Sequence, residues 1–230
     1  MIKSLPLLLS AVGLAGSAWA ATPAKAPVVV ELFHSQGCSS CPPALANLNA
    51  IADRPDVLAL SFGVTYWDYL GWKDSFASPR FTERQVDYAH RNGSNDVGTP
   101  QVWINGRSTI LGSNRAELDA SIAQVAPLHG PAMKITGNRV QIDAGKAPAG
   151  GADIWLVRYD PRTVQVAIRA GENGGRTLPH RDVVHELTRI GRWTGAAQTL
   201  SIPAPADPAF RTAVLLQTGT GGPLLGAVKG

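Results

Sequence analysis

The sequence has few cysteines, few charges and no strongly basic segment. Its 230 residues include only 2 cysteines, which excludes a small scaffold held together by several disulfides. Charged residues make up 17% and hydrophobic residues 44%, a balance that excludes a disordered chain or a coiled coil. There is no run of basic residues interleaved with aromatic ones, so we expect no nucleic-acid partner. Beyond residue 20, no apolar run is long enough to span a bilayer.

The first residues have the pattern of an export signal. Lys3 precedes an apolar stretch over 5–14, and small residues at positions 18 and 20 suit a signal peptidase. We expect a signal peptide over 1–20 and an exported protein, periplasmic or secreted, with no transmembrane segment after cleavage. A membrane anchor is the alternative. Outside the cytosol disulfides persist, so a cysteine pair there can act in redox chemistry.

The hydrophobic pattern predicts two parts. Up to residue 125, strands and helices are expected in the order β-α-β-α-β-β-α, with strands over 28–33, 57–64, 101–105 and 108–111 and helices over 41–53, 81–91 and 114–125. The proline-containing segment 127–131 is predicted to be a linker. Beyond it, short strands are expected within 134–143, 154–159, 164–169, 183–192, 199–202 and 213–218. The strands at 154–159 and 164–169 are expected to pair with each other, with a turn near residues 160–161. This spacing is typical of a sandwich or partial barrel, so we expect a first domain over 21–129 and a β-rich C-terminal domain over 130–230.

The two cysteines, Cys38 and Cys41, lie between the end of the first predicted strand and the start of the first predicted helix. Two intervening residues in a tight turn bring the cysteines within disulfide distance. Free N–H groups at a helix start favour a thiolate, so the pKa of Cys38 should lie below its ordinary value of about 8.5. We expect Cys38 to be an exposed nucleophile and Cys41 a more buried resolving thiol. The only redox group expected is this pair, with no separate cofactor.

Other interpretations of the pair remain open. A static disulfide closing so short a loop adds little stability. A structural zinc site needs four ligands, and the sequence contains no second CxxC motif. A Cu(I) site is the stronger metal alternative, because two thiolates and His34 are suitable ligands.

A proline directly before a predicted central strand is unusual, because it removes a ladder donor, and Thr99-Pro100 has this position. With the CxxC motif after the first strand, it makes residues 28–125 resemble the thioredoxin fold. The resemblance implies an α/β thioredoxin-like domain followed by the mainly β domain. It also implies a cis peptide at Thr99-Pro100 beside the cysteines, with backbone there pairing to an extended substrate strand. An ordinary trans proline is the alternative.

Longer motifs resemble those of a family of secreted bacterial proteins, catalogued as a domain of unknown function with a thioredoxin-like part. They lie at 31–33, 35–43, 66–74, 81–85 and 172–178, where the sequences are ELF, SQGCSSCPP, YWDYLGWKD, FTERQ and ENGGRTL. The resemblance runs from residue 28 nearly to the C-terminus. It implies a fold and a compartment but no substrate.

Further candidate residues surround these motifs. Glu31 lies in an apolar strand, and the resemblance to thioredoxins implies a general base for Cys41, the alternative being an edge-exposed glutamate. His34 either lowers the pKa of Cys38 or caps a loop. Trp67 and Asp68 follow the second strand and either line a substrate groove or pack as a lid. A second pair of histidines, at 180 and 185, is expected on the surface.

Together these features predict an exported thiol–disulfide oxidoreductase acting on protein or small-thiol substrates, with thiol or disulfide proteins as partners. The alternatives are a periplasmic Cu(I) carrier that uses the same cysteines and a non-catalytic binding protein. In the last case the C-terminal half, which holds most of the arginines, would bind the partner.

Overall fold

The computed structural model describes residues 25–230, and most of its regular structure is β-strand. The described strands are β1 (Val28–His34), β2 (Val57–Gly63), β3 (Gln101–Ile104), β4 (Ser108–Ile110), β5 (Met133–Thr136), β6 (Arg139–Ile142), β7 (Ala152–Asp160), β8 (Val164–Ala167), β9 (Thr177–His180), β10 (Val183–Trp193), β11 (Gln198–Ser201), β12 (Arg211–Gln217) and β13 (Leu224–Lys229). The described helices are α1 (Pro42–Ile51), α2 (Pro79–Arg91) and α3 (Arg115–Gln124), with one 3-10 turn at Asp68–Leu70. The predicted signal peptide lies outside the described residues. None of the described helices has the length and apolar character needed to cross a membrane.

Eight strands form one mixed sheet, in the order β13-β12-β7-β10-β2-β1-β3-β4. Strands from before and after residue 130 therefore share this sheet. A three-stranded sheet, β11-β6-β5, and a two-stranded sheet, β8-β9, accompany it. The predicted fold class, an α/β thioredoxin-like domain followed by a separate β domain, is thus wrong: the fold is mostly β, with three short helices in the described part.

The pairing of β10 with β2 explains the difference. The two strands run parallel, with Val183 opposite Ser61, and the Ser61 amide donates to the Asp182 carbonyl at 2.9 Å. Local hydrophobic periodicity predicts where strands lie but gives no information on which distant strand pairs with an open edge. The predicted strands at 154–159 and 164–169 show the same effect. They were expected to pair with each other, whereas β7 pairs with β10 and β12, and β8 pairs with β9.

The elements around the cysteines follow from their sequence. The β1 segment VVVELFH is rich in β-branched and aromatic residues and is buried on both faces, as in the interior of a covered sheet. Helix α1 begins with Pro42 and Pro43, whose missing N–H groups have no intrahelical partners in the first turn. It buries Leu45, Leu48 and Ile51 against the sheet, a helical spacing that fixes which side of α1 faces inward.

The two faces of β1 pack against different helices. Val30 and Leu32 lie in the apolar cluster that contains residues of α1 and α3. Val29 and Phe33 lie in the cluster that contains Tyr88 of α2. Because side chains alternate along a strand, Glu31 belongs to the α2 side, opposite the helix that follows the cysteines.

A buried ion pair links β1 to α2. The Arg84 guanidinium donates from Nε to a carboxylate oxygen of Glu31 at 2.7 Å, and both side chains are almost fully buried. The Tyr88 hydroxyl donates to the other carboxylate oxygen, while Arg84 also donates to Gln217 of β12 at 3.0 Å. A buried charge is tolerated when its hydrogen-bonding capacity is met in this way.

We predict that Arg84→Ala lowers the free energy of unfolding by about 3–5 kcal/mol, because the Glu31 carboxylate is then left buried without its partner. The matched control is Arg80→Ala on the same helix. Arg80 forms a half-exposed pair with Glu83 at 3.5 Å, so its loss should cost less than about 1 kcal/mol. Urea unfolding measures both values, and equal losses would contradict the buried-pair account.

Candidate functional site

The cysteines lie in the turn that joins β1 to α1. The Cys38 amide donates to the Ser35 carbonyl at 3.2 Å, and the Cys41 amide donates to the Cys38 carbonyl at the same distance. Cys41 is the residue immediately before the first helical residue of α1. Both cysteines are free thiols in this structure. Both are also buried: Cys38 is 0% exposed and Cys41 2%. The expectation that Cys38 is exposed is therefore wrong.

The two thiols have very different acidities. The thiol of Cys41 donates a hydrogen bond to Cys38, and this bond, helped by the Ser40 hydroxyl and Thr99, lowers the pKa of Cys38 to about 6 although burial opposes it. Burial, followed by the hydrogen bond and negative charge of Cys38, raises the pKa of Cys41 far above its ordinary value. The contact between the two thiols therefore favours the thiolate at Cys38 and the protonated form at Cys41.

The cause of this acidity differs from the one that the sequence suggests. Helix α1 begins at Pro42, and its first two residues are prolines without an N–H group. The helix start therefore offers fewer donors than a typical first turn. The main stabilising contact for the Cys38 thiolate is instead the neighbouring thiol.

The segment before β3 closes one side of the site. The Thr99-Pro100 peptide is cis. The Cys38 sulfur lies 3.8 Å from the Thr99 carbonyl oxygen, and the Ser40 hydroxyl lies 3.4 Å from the same oxygen. Gln85 of α2 donates to the Gly98 carbonyl at 2.8 Å, and this bond ties the segment before β3 to α2. The sequence places Thr99 and Pro100 beside Cys38 correctly, while their predicted substrate contacts stay predictions.

The aromatic segment after β2 supports the residues that precede Cys38. The Trp72 indole donates to the Gln36 side chain at 3.0 Å, and a Cβ added at Gly37 would lie 3.3 Å from Trp67. Asp68 accepts from the Asp74 amide at 3.1 Å and is thus engaged within its own segment. Trp67 therefore lies beside the cysteine turn and contributes to its packing, Asp68 is bonded within its own segment, and the predicted substrate contacts of both residues stay predictions.

Asp74 connects the same segment to the turn. Its carboxylate accepts from the Gln36 amide at 2.7 Å and from the Phe76 amide at 2.8 Å. Burial raises the pKa of Asp74, although these two backbone bonds oppose the rise. The backbone immediately before Cys38 is therefore held by a side chain more than thirty residues further along the chain.

Glu31 does not have the position that its predicted role requires. Its carboxylate is occupied by Arg84 and Tyr88, on the α2 side of β1. Helix α1, which begins directly after Cys41, packs on the other side. We therefore assign Glu31 to the buried ion pair and not to proton transfer with Cys41.

His34 forms a buried pair with His180. Its Nε2 lies 2.8 Å from the Ser61 hydroxyl, and the two imidazole ring centres are 5.5 Å apart. Burial lowers the pKa of both histidines to about 4. A neutral His34 supplies no positive charge to the Cys38 thiolate. His180 is 0% exposed, so its predicted surface position is wrong.

A third-ligand role for His34 in a metal site is likewise not supported. Within residues 25–230, no three or more His, Cys, Asp or Glu side chains are grouped so that they could hold a metal ion. His34 is thus not brought together with Cys38 and Cys41 as the third member of such a group.

The loop 168–176, which joins β8 to β9, provides contacts that sequence reasoning missed. Asn173 is fully buried and donates from its amide to the Gln36 carbonyl at 2.9 Å and to the Cys38 carbonyl at 2.7 Å. Glu172 is exposed, and its carboxylate accepts from the amide and the hydroxyl of Ser39, both at 2.9 Å. In the sequence, the motif at 172–178 resembles those of the family of unknown function, but no local pattern predicts that it contacts Cys38.

These features define the class of site. Two buried free thiols of unequal acidity lie in one strand-to-helix turn, and segments from both halves of the chain hold that turn in place. Residues 29–217 match the family described as "Protein of unknown function (DUF1223)", and the chain belongs to that family. The predicted membership of a family of unknown function is thereby confirmed. This match does not support the expectation that the family has a thioredoxin-like part.

Two solved structures are similar to the chain. Protein AGR_C_4864 from Agrobacterium tumefaciens is 34% identical, with a TM-score of 0.73 over 90% of this chain and 95% of that one. HBP35 of Porphyromonas gingivalis is 13% identical, with a TM-score of 0.56 over 90% of this chain and 75% of that one, a likeness of fold alone. No curated protein matches the chain.

We predict that Cys41→Ala raises the pKa of Cys38 by about one unit, the effect of losing one hydrogen bond to a charged group. Cys41→Ser keeps a donor at the same place and should leave the pKa of Cys38 close to that of the unchanged protein. The pH dependence of iodoacetamide alkylation of Cys38 measures both. A Cys38 pKa in Cys41→Ala equal to that of the unchanged protein would show that the Cys41 thiol does not stabilise the thiolate.

Proposed function

We propose that the chain is an exported thiol–disulfide oxidoreductase that uses Cys38 and Cys41 on protein or small-thiol substrates. The observation that carries this proposal is the position of two free thiols in one strand-to-helix turn beside the cis Thr99-Pro100 peptide, and the shifts of the two thiol pKa values in opposite directions support it. A thiolate is the nucleophile in disulfide exchange, and a neighbouring protonated thiol is suited to resolve the product. A static disulfide needs neither property.

The reaction is a sequence of two exchanges. The Cys38 thiolate forms a bond to one sulfur of a substrate disulfide, and the other substrate sulfur leaves as a thiolate. Cys41 then loses its proton, which the first leaving group accepts, and the Cys41 thiolate attacks the Cys38 sulfur, so that the second substrate sulfur leaves as a thiolate. The substrate gains two electrons, and Cys38 and Cys41 become a disulfide. Reduction by an external thiol reverses these steps.

The loss of charge at Cys38 makes the second step possible. Burial raises the pKa of Cys41 most, and while Cys38 is a thiolate its hydrogen bond and its charge raise that pKa further. In the mixed disulfide that charge is gone, so the Cys41 pKa falls and the thiolate needed for resolution becomes accessible. The same contact therefore lowers the pKa of Cys38 before the first exchange and keeps Cys41 protonated until the mixed disulfide has formed.

Substrate contacts are proposed at the borders of the turn. The Thr99 carbonyl lies beside the Cys38 sulfur, and Pro100 follows it, so an extended substrate segment passing Cys38 would meet this backbone. Trp67 borders the turn on the side of Gly37, and Asp68 follows it in the chain. Tyr69, between them and Trp72, is 78% exposed and adds an aromatic surface to this border.

We predict that the protein reduces a glutathione-derived disulfide or insulin with a dithiol as electron source, and that Cys38→Ser loses at least about a hundredfold in rate because the nucleophile is gone. Cys41→Ser should still react once and retain the substrate thiol as a mixed disulfide, which mass spectrometry detects. Circular dichroism checks that both variants fold. Equal turnover by Cys38→Ser and the unchanged protein would end the proposal.

Export belongs to the same proposal, since a redox pair of this kind acts where disulfides persist. We predict that the protein expressed from the full sequence in a bacterium is recovered outside the cytosol and begins at Ala21, because the peptidase cuts after small residues. N-terminal sequencing of the recovered protein measures this. Recovery of the uncut chain in the cytosol would contradict it.

A further inference from the structure

Hydrogen bonds within the loop 168–176 hold it in one shape beside the cysteine turn. The Gly174 amide donates to the Gly171 carbonyl at 3.1 Å, and the Gly175 amide donates to the Ile168 carbonyl at 2.8 Å. The first of these bonds closes a tight turn around the residues between Gly171 and Gly174. A loop that is bonded to itself in this way can hold a side chain in a fixed place.

The side chain held there is that of Asn173, and its partners fix the orientation of its amide. The amide oxygen accepts from Arg176 at 2.7 Å, while the NH₂ group donates to the Gln36 carbonyl at 2.9 Å and to the Cys38 carbonyl at 2.7 Å. A rotated amide would place its oxygen against two carbonyl oxygens and its NH₂ group against a guanidinium, so one orientation alone satisfies every partner. Asn173 is fully buried, and bulk water therefore does not compete for these bonds.

The Cys38 carbonyl oxygen accepts from two donors, and the second is the resolving cysteine. The Cys41 amide donates to this oxygen at 3.2 Å, and the bond from Asn173, at 2.7 Å, is the shorter of the two. Because both bonds end on the same atom, the position of that oxygen determines how closely the two cysteines approach each other across the turn. Asn173 thus holds, from outside the turn, the atom that links the two cysteine backbones.

We propose that Asn173 is a positioning residue for closure of the disulfide between Cys38 and Cys41. By holding the Cys38 carbonyl, it keeps the mixed disulfide within reach of the Cys41 sulfur, so the second exchange is faster than in a mobile turn. Its hydrogen bonds are to backbone carbonyls and to Arg176, so it acts through the backbone and not on a sulfur atom. This inference rests on the proposed function and assigns to its resolving step a residue from the loop between β8 and β9.

The test follows closure on the reduced protein with one equivalent of the aromatic disulfide dithiobis(nitrobenzoate). The Cys38 thiolate bonds to one reagent sulfur, and the other leaves as a coloured thiolate. The Cys41 thiol then loses its proton to the buffer and attacks the Cys38 sulfur, which releases the second coloured thiolate and forms the disulfide. Stopped-flow absorbance measures both releases. The second occurs within one molecule, so its rate is independent of how easily the reagent reaches Cys38.

Three variants at this contact should slow the second release. Asn173→Ala removes both donors, and we expect a loss of about tenfold in rate, with the Cys38 adduct accumulating in mass spectra. Asn173→Asp keeps the shape of the side chain but replaces the NH₂ group with an oxygen, so it should slow the release at least as much. Arg176→Ala removes an exposed residue, retains the fold and frees the Asn173 oxygen, so a smaller loss of about threefold is expected.

The matched control is Asn105→Ala. Asn105 is also fully buried and also bonds two backbone groups, accepting from the Val29 amide at 2.9 Å and donating to the Ala126 carbonyl at 3.3 Å. It lies at the opposite end of β1 from the cysteines, so its loss should lower stability but change the second release by less than about twofold.

Two results would overturn the proposal: a second release that is unchanged in Asn173→Asp and Arg176→Ala, or one that Asn105→Ala slows as much as Asn173→Ala does. The closure rate is measured in a single reaction and needs no catalytic turnover. The proposed oxidoreductase activity fails separately, if the unchanged protein closes its disulfide but turns over neither a glutathione-derived disulfide nor insulin.

Discussion

The hydrogen bond from the Cys41 thiol to the Cys38 sulfur is the interaction on which the site depends. Both sulfurs are buried, and burial alone would raise both thiol pKa values and leave two inert cysteines. The bond removes this symmetry, since a proton held by Cys41 favours the anion of Cys38. One buried charge is then stabilised by a donor three residues further along the chain, and a second charge at Cys41 is disfavoured. The local sequence GCSSCPP is sufficient to create this asymmetry once the turn is held in shape.

Holding the turn in shape requires distant residues. Asp74 fixes the amide of Gln36, Asn173 fixes the carbonyl of Cys38, and the segment ending at Thr99 lies against the sulfur. These three contacts come from different parts of the chain, and the eight-stranded sheet brings the parts together. The parallel contact of β10 with β2 is essential here, because β9 and the loop 168–176 directly precede β10. The β-rich half therefore completes the cysteine site.

The sequence predicts local features well and distant pairing poorly. The spacing of apolar residues places the strand at 28–33 and the helix at 41–53 close to the observed β1 and α1, and the CxxC spacing identifies the reactive residues. It does not reveal that Asn173 contacts Cys38, 135 residues away, because a polar residue in a glycine-rich loop has no periodicity. Glu31 shows a different limit. Strand alternation places it opposite Val30 and Leu32, yet the resemblance to thioredoxins suggested a role on the wrong side of the sheet.

Asn173 and Glu172, the two loop residues beside the cysteines, hold the turn through contacts of different kinds. Exchange chemistry needs a turn whose sulfurs stay aligned, and it also needs a path for the substrate. The side-chain NH₂ group of Asn173 donates to two backbone carbonyl oxygens, which are unchanged when a disulfide forms, so these two bonds can persist in both redox states. Glu172 binds a residue that water also reaches, so its release leaves no buried group unpaired. Loss of the Glu172 contact would therefore leave in place the backbone geometry that brings Cys38 and Cys41 together.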